Sequence, residues 1–187
     1  LEAGHVCISR ADYRVKFPAR FQLVSAMNPC PCGFAGDPRG LCRCTPDRIS
    51  RYLEKISGPL LDRIDIHVEV PRPGSDELRQ LAPADEPDSA ALREQVAACR
   101  KRQYQRQGCL NRDLDAEMLD KHCPLESSAE KLLRQSMDKL NLSARACHRM
   151  IKLARTLADL ESVDLITATH IAQAAAYRQM RAFKASE

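Results

Sequence analysis

Four cysteines carry the plainest chemical signal in the chain. Cys30-Pro31-Cys32 and Cys42-Arg43-Cys44 form two close pairs, joined by residues 33–41, a stretch rich in Gly, Asp and Pro. Two thiol pairs joined by a loop are what a tetrahedral zinc site of four thiolates requires. A single residue inside each pair is tighter than the usual spacing, and pairing of the same thiols into disulfides is the rival reading. A closed four-thiolate site would be structural, tying down a loop too polar to fold alone. Two other side chains stand out by position. Asn28 follows the apolar run Phe21 to Met27, and Arg63 follows the Ser57-Gly58-Pro59 turn. A lone amide and a lone guanidinium so placed suit a nucleotide site, because ligands of open α/β sheets gather at the carboxyl ends of the strands. The plain alternatives are an Asn capping the turn before Pro29, and a surface cluster of Asp62, Arg63 and Asp65 with little energetic weight.

The elements that must position these residues follow from periodicity. Val6 and Ile8 alternate with Cys7 and Ser9, and Tyr13, Val15 and Phe17 with Arg14 and Lys16. Period two on both sides of Arg10-Ala11-Asp12 predicts a β-hairpin, with one apolar face, Arg14 and Lys16 on the other, and Arg10 near the tip. Phosphate contacts from such cations would give salt-sensitive, sequence-independent affinity. A solvated strand face is the plain reading. Phe21 to Met27 suits a buried strand of a mostly parallel sheet. Thr45 or Asp47 caps a helix through Ile49, Tyr52, Leu53 and Ile56, Ser57-Gly58-Pro59 stops it, and Ile64 to Val70 reads as a strand. Pro71, Pro73, Gly74, Pro83 and Pro87 mark a linker over 71–88, so a first domain spans 1–70 and a helical one 89–187. In the second, Ser89 caps a helix to about Gln107, ending in the basic run Arg100 to Arg106. A short helix spans Asp115 to His122, and Ser127 or Ser128 caps another. Asn141 to Arg145 opens a helix to Leu160, with Ala146, Met150, Leu153, Leu157 and Leu160 as its buried stripe and Arg145, Arg149 and Lys152 on a basic face. Thr167 caps the last helix, Ala168 to about Phe183. His148 and His170 have no partner at ligand spacing and read as structural.

Composition narrows the function classes. At 187 residues one or two domains are expected, and 44% hydrophobic residues support a real core. Aromatics make up 4%, with no Trp, which disfavours a base-stacking platform. A net charge of +4 permits nucleic-acid binding without demanding it. No secretory signal opens the chain and no apolar run approaches the ~18 residues of a membrane span, so a cytoplasmic protein without membrane contact is expected. There the nine cysteines serve as ligands or core residues. The chain contains no G-x-x-x-x-G-K-[ST] phosphate loop and no apolar strand ending in Asp-Glu to hold magnesium. With its abrupt start at Leu1-Glu2-Ala3-Gly4, it is expected to be part of a longer protein.

The motifs AMNPCPCG at Ala26 to Gly33, the pair Cys42/Cys44 and ISGPLLDRIDI at Ile56 to Ile66 closely resemble the magnesium-chelatase-like AAA+ ATPases of the ComM/YifB competence-protein family, and the likeness continues through Leu140 to Leu160. The resemblance implies an α/β plus α architecture: the C-terminal half of an AAA+ core, with its hairpin and four-cysteine loop, followed by an all-α lid. It implies that Asn28 is sensor 1, that Arg63 is an arginine finger reaching a neighbouring subunit's γ-phosphate, and that Arg145 is sensor 2. It places Arg10, Arg14 and Lys16 in a ring's central pore. ATP and Mg²⁺ for the complete protein, zinc on Cys30, Cys32, Cys42 and Cys44, single-stranded or branched DNA, and a homohexamer are the implied ligands and partners. The implied activity is ATP-driven translocation or branch migration on DNA during natural transformation or recombination, with this chain alone inactive. A zinc-stapled nucleic-acid-binding module and a motor subunit that inserts magnesium into a tetrapyrrole are the alternatives, and the cysteine loop argues against the latter.

Overall fold

The computed structural model describes residues 4–10, 13–71, 87–140 and 142–178. It is a mixed α/β chain with one two-stranded antiparallel sheet and, among the described residues, seven α-helices. The chain divides between Ile64 and Asp65 into two compact units. Most of the proline-rich stretch expected as a linker, and Asn141, lie outside the described residues.

In the first unit, β1 (His5–Arg10) pairs antiparallel with β2 (Tyr13–Pro18) in the register Val6↔Phe17, Ile8↔Val15, Arg10↔Tyr13. Ala11 and Asp12, between the two strands in sequence, lie outside the described residues. The next apolar run corrects an expectation. Phe21 to Met27 has no regular secondary structure and no ladder partner among the described residues, and Phe21, Leu23, Val24 and Met27 are exposed. Periodicity marks a segment able to pair, while a strand exists only where a neighbour supplies the other half of the hydrogen bonds. Ile64 to Val70 is likewise not a strand, for the same reason. The helix α1 (Pro46–Leu53) starts at Thr45, whose Oγ1 accepts from Arg48 N at 3.4 Å, and it stops short of Ile56. Ser57-Gly58-Pro59 does not merely end a helix. It opens the short α2 (Gly58–Leu61), since a proline in the first turn gives up an N–H that has no intrahelical partner anyway.

The second unit holds α3 (Ser89–Gln107), a 3-10 turn (Asn111–Asp113), α4 (Ala116–His122), α5 (Ser127–Leu140), α6 (Ala144–Leu160) and α7 (Ala168–Ala176). Asp88, not Ser89, caps α3: its carboxylate accepts from Ala91 N at 2.7 Å. Gly108 ends the helix at φ 75°, a backbone conformation that a side chain would strain. The last helix is described to Ala176; Phe183 lies outside the described residues. The core joins Leu114, Leu119, Cys123, Met150, Ile166 and Ile171 with Ala129, Ala154, Ala158, Ala174 and Ala175. On α6 the buried line is Ala146, Met150, Ala154 and Ala158, while Leu153 and Leu157 lie at its margin. The expected leucine stripe is therefore displaced around the helix. Alanines take the centre because α6 and α7 both present small side chains there, and Ile171 of α7 fills the space between. Ile166 N donates to Pro124 O, and Glu126 N donates to Ile166 O, so the loop before α7 is stitched to the loop before α5.

A polar seam runs beside this core. Arg106 Nη2 on α3 donates to Asp159 Oδ2 at 2.9 Å, Asn111 Nδ2 donates to the same oxygen at 2.9 Å, and Arg155 pairs with Asp159 Oδ1 at 3.1 Å. Arg155, wholly buried, also donates to the Val163 and Asp164 carbonyls. Burial works to raise the Asp159 pKa, but the bonds from Arg106 and Asn111 and the charge of Arg155 hold it below its ordinary value of 3.8. A carboxylate with a depressed folded pKa stabilises the fold above its ordinary pKa, and the contribution is lost as pH falls through the folded value. Asp159→Ala should therefore cost about 3–5 kcal/mol near neutral pH, since it strands a buried guanidinium. Chemical denaturation of wild type and variant should show that gap narrowing as the pH falls below 3.8. A cost under ~1 kcal/mol at pH 7 would mean the seam relaxes around the loss.

Candidate functional site

The cysteine pairs converge. Cys30 Sγ lies 3.3 Å from Cys32 Sγ and 3.8 Å from Cys42 Sγ, Cys32 Sγ lies 3.6 Å from Cys42 Sγ, and all four sulfurs are within 4.8 Å of one another. They are separate thiols. A zinc ion bonded to four sulfurs at about 2.3 Å needs sulfur–sulfur edges of roughly 3.8 Å, so the donor set fits that metal. The local backbone explains the convergence. Gly33, at φ 80°, closes a turn with its N–H on Cys30 O, and Ala35 N donates to Cys30 Sγ at 3.3 Å. Further turns, Asp37 N to Phe34 O and Gly40 N to Asp37 O, return the chain to Cys42, and Thr45 then starts α1. The first turn spans Cys30 and Cys32 themselves, and the two later turns lie between the pairs.

The thiols differ in acidity. Hydrogen bonds from the Arg43 and Phe34 backbone, then from Cys30, draw Cys32 down to about 6. For Cys42 a backbone bond from Cys44 works downward, but burial and the neighbouring Cys32 and Cys30 sulfurs outweigh it and push the thiol up to about 11. Burial and the same neighbours raise Cys44. Metal binding near neutral pH thus meets one thiol already ionised and displaces protons from others.

The two candidates nearest this loop in sequence sit on contrasting supports. Asn28 is exposed, with its carboxamide against the Gly33 turn, 3.8 Å from where a Cβ on Gly33 would stand. Arg63 is half-buried just after α2. Its Nη1 donates to Pro59 O at 2.6 Å, its own N–H bonds to Leu60 O, and Ile64 N bonds to Leu61 O. The guanidinium is thereby folded back over the α2 turn. In the second unit Arg145 is exposed in the first turn of α6, whose cap is Ser143 Oγ accepting from Ala146 N at 3.2 Å. Arg149 and Lys152 continue the basic face but are engaged: Arg149 Nη1 donates to Asp65 Oδ1 at 2.6 Å, and Lys152 Nζ donates to Arg112 O at 3.0 Å.

The hairpin separates its three cations. Arg14 pairs with Ser9 and Lys16 with Cys7, which puts both on the polar face. Arg10 pairs with Tyr13, on the face shared with Val6, Ile8, Val15 and Phe17. Both faces are exposed. His170, read as structural from its spacing, is buried: its Nδ1 accepts from Thr167 N at 3.0 Å while its Nε2 meets Glu161 Oε2 at 3.0 Å. His148 is exposed. Sequence reasoning misses the Asp65–Arg149 pair. Its only signal is an acidic residue just past the Gly-Pro turn and a basic helix face, and nothing in the sequence joins the two.

Comparison with known proteins covers both units. Residues 1–78 match the family model for magnesium chelatase, subunit ChlI, and residues 86–178 match that for the ChlI C-terminal region. The uncharacterized protein YifB of Escherichia coli is 41% identical over 179 residues, 95% of this chain and 35% of that protein. Competence protein ComM of Haemophilus influenzae is 41% identical over 180 residues, 96% of this chain and 35% of that protein. An uncharacterized protein of Mycobacterium tuberculosis is 37% identical over 185 residues, again 96% and 35%. The chain thus spans about a third of the length of the curated relatives it matches. No helix among the described residues is long and apolar enough to cross a membrane.

The cysteine cluster generates a direct expectation. Protein purified without chelator should carry one zinc per chain by elemental analysis, and a Cys30→Ser, Cys42→Ser double variant should carry almost none. Because the ligands must ionise, zinc affinity should fall as the pH is lowered, most steeply below the Cys32 value of about 6. Metal-free protein with four titratable thiols at this loop would sink the assignment.

Proposed function

The chain belongs to the ComM/YifB family of magnesium-chelatase-like proteins, and on that premise we propose that it is the sensor, finger and lid portion of an AAA+ ATPase that couples ATP hydrolysis to movement on single-stranded or branched DNA. The observation that carries this reading is Arg63. It is a half-buried guanidinium mounted on a short helical turn, within the stretch that matches the family's ISGPLLDRIDI motif. An arginine finger needs both qualities: a planar, permanently charged fork, and a support that holds its aim.

The chain's own residues then divide the work. Arg63 meets negative charge on the phosphoryl group held by the adjacent subunit of a hexamer. Asn28 orients the attacking water or a γ-phosphate oxygen. Arg145 contacts the nucleotide from the lid. Phe21 to Met27 becomes a sheet strand once neighbouring strands flank it, which would also cover its exposed apolar side chains. The zinc, held by Cys30, Cys32, Cys42 and Cys44, is structural: a closed four-sulfur set leaves no open position for chemistry. It anchors the turn beside Asn28. Magnesium arrives with ATP and is held by residues outside this chain, which offers no acidic strand end for it. Arg14 and Lys16, on one hairpin face, track a phosphate backbone, and Arg10 adds to them from the other face at the tip.

Two sets of experiments test the reading. The 187-residue chain should not hydrolyse ATP, lacking any phosphate loop. In the complete ATPase, Arg63→Ala should leave nucleotide binding nearly intact and cut turnover by ~10³–10⁵. Arg145→Ala should weaken binding and turnover together. Mixing Arg63→Ala subunits with subunits defective in the phosphate loop should restore activity, since each spoils a different half of a shared site; mixed rings that form yet stay inactive would remove Arg63 from the subunit boundary. For DNA, Arg14→Ala with Lys16→Ala should weaken binding irrespective of sequence. It should also flatten the salt dependence by roughly 0.7–0.9 in slope for each phosphate the hairpin no longer neutralises. An unchanged slope would make the hairpin a structural element.

A further inference from the structure

Resting on the DNA reading of the hairpin, we infer that Arg20 and Lys16 together form a seat for one phosphodiester group at the hairpin's base. A surface pocket of about 560 Å³ lies there, lined by Gly4, His5, Lys16, Pro18 and Arg20. Two of these residues are cations near neutral pH, and among the described residues no carboxylate lines the pocket. Neither Lys16 nor Arg20 has an ion-pair partner among the described residues. Uncompensated positive charge in a concave site attracts anions. A phosphate group suits this one, because its oxygens can be shared between an ammonium and a guanidinium.

The register explains why these side chains meet. β1 and β2 pair His5↔Pro18 and Cys7↔Lys16. Ala19 N then donates to Gly4 O at 2.8 Å, so the ladder runs one step beyond the last strand pair. Side chains two apart share a face of a strand. Arg14, Lys16 and Pro18 therefore form one row along β2, and Arg20 extends it into the pocket that Lys16 and Pro18 also line. Pro18 fills the middle of the row with a short uncharged ring, and the two longer side chains border the pocket from either end. Gly4 positions Arg20. Its φ is 63°, and a Cβ on it would stand 3.3 Å from both Cγ and Nε of the arginine. The stem and Nε of Arg20 thus lie against bare backbone, a place that only glycine leaves open. An arginine laid down in this way loses less freedom when it meets a ligand than one loose in water. A strand tracked by Arg14 and Lys16 would accordingly be followed past the end of the hairpin.

The test uses the complete ATPase and a fluorescently labelled single strand, titrated over a range of chloride concentrations. Arg20→Ala should lower the salt slope by ~0.7, the share of one single-strand phosphate, which amounts to about fivefold in affinity near 0.1 M salt. Arg20→Lys keeps the charge and loses the fork, so it should keep the slope and lose only part of the affinity. Arg20→Ala with Lys16→Ala should lose less than the two single variants summed, since both residues serve one phosphate, whereas Arg20→Ala with Arg14→Ala should add. Additive loss for the Lys16 and Arg20 variants would mean separate contacts and no shared seat. Loss of affinity together with a lowered thermal midpoint, and no recovery in Arg20→Lys, would make Arg20 a structural residue. Tight binding of inorganic phosphate by calorimetry, abolished by Arg20→Ala while DNA affinity stays unchanged, would give the seat to a free anion instead of a strand. If Arg14→Ala with Lys16→Ala weakens DNA binding and Arg20→Ala does not, the hairpin meets DNA without this seat. If none of the variants moves affinity or slope, the DNA reading itself falls and takes the seat with it.

Discussion

The second unit is built around one carboxylate. Asp159 is almost wholly buried, and it draws α3 through Arg106, the 3-10 turn through Asn111, and the loop before α7 through Arg155, which grips the Val163 and Asp164 carbonyls. Each partner serves a different element, so the geometry of one anion fixes the mutual placement of three. Buried charge of this kind is a poor source of net stability compared with an apolar core of the same shape. What it supplies here is register. The apolar core of this unit is rich in alanine, and small side chains alone permit helices to slide. The seam allows one arrangement, and that arrangement sets where the first turn of α6 presents Arg145.

The first unit meets the same problem without a core. Among its described residues only Cys30 and Leu53 are buried hydrophobic side chains, while the hairpin's apolar face and Phe21 to Met27 are exposed. Hydrophobic burial cannot order so small a unit on its own. Its organising contact is the convergence of four sulfurs, and a bound metal would convert that convergence into folding free energy. The two units therefore use opposite means to one end. In the first unit the cysteine turn lies against Asn28, and in the second the seam holds the far end of the helix whose first turn carries Arg145.

Legibility in the sequence tracks the range of the forces involved. The β-hairpin, the caps at Thr45 and Thr167, and the extents of α4 and α6 depend on residues a few positions apart, and are readable from the sequence, whereas Ser127 and Ser128, expected as caps, lie inside α5. The four-sulfur cluster is readable too, because metal-ligand spacing is a local pattern. What fails depends on partners distant in sequence. Phe21 to Met27 and Ile64 to Val70 have strand composition, yet pairing needs a neighbour that composition does not specify. The α6 core line moves off the leucines because the facing helix presents alanines and Ile171, a fact about α7 rather than about α6. Arg106 reads in sequence as one more cation in a solvated basic run; only the fold brings it to Asp159.

Arginine is where this distinction bears on function. Sequence alone gives every arginine the same charge, and the fold sorts them by what surrounds the fork. Arg155 and Arg106 are drawn into the seam, where a guanidinium's several donors satisfy carbonyls and a carboxylate at once. Arg149 is packed along its length and bound to Asp65 at its tip. Arg63 and Arg145 occupy a third condition, at the edge of a short, well-anchored turn with the head group toward the surface. A catalytic or sensing arginine needs that condition. Buried, it would be committed to its own fold; on a loose loop, it would lose in entropy what it gained in charge stabilisation. The two arginines that family motifs single out are also two that the fold leaves out of its buried seam.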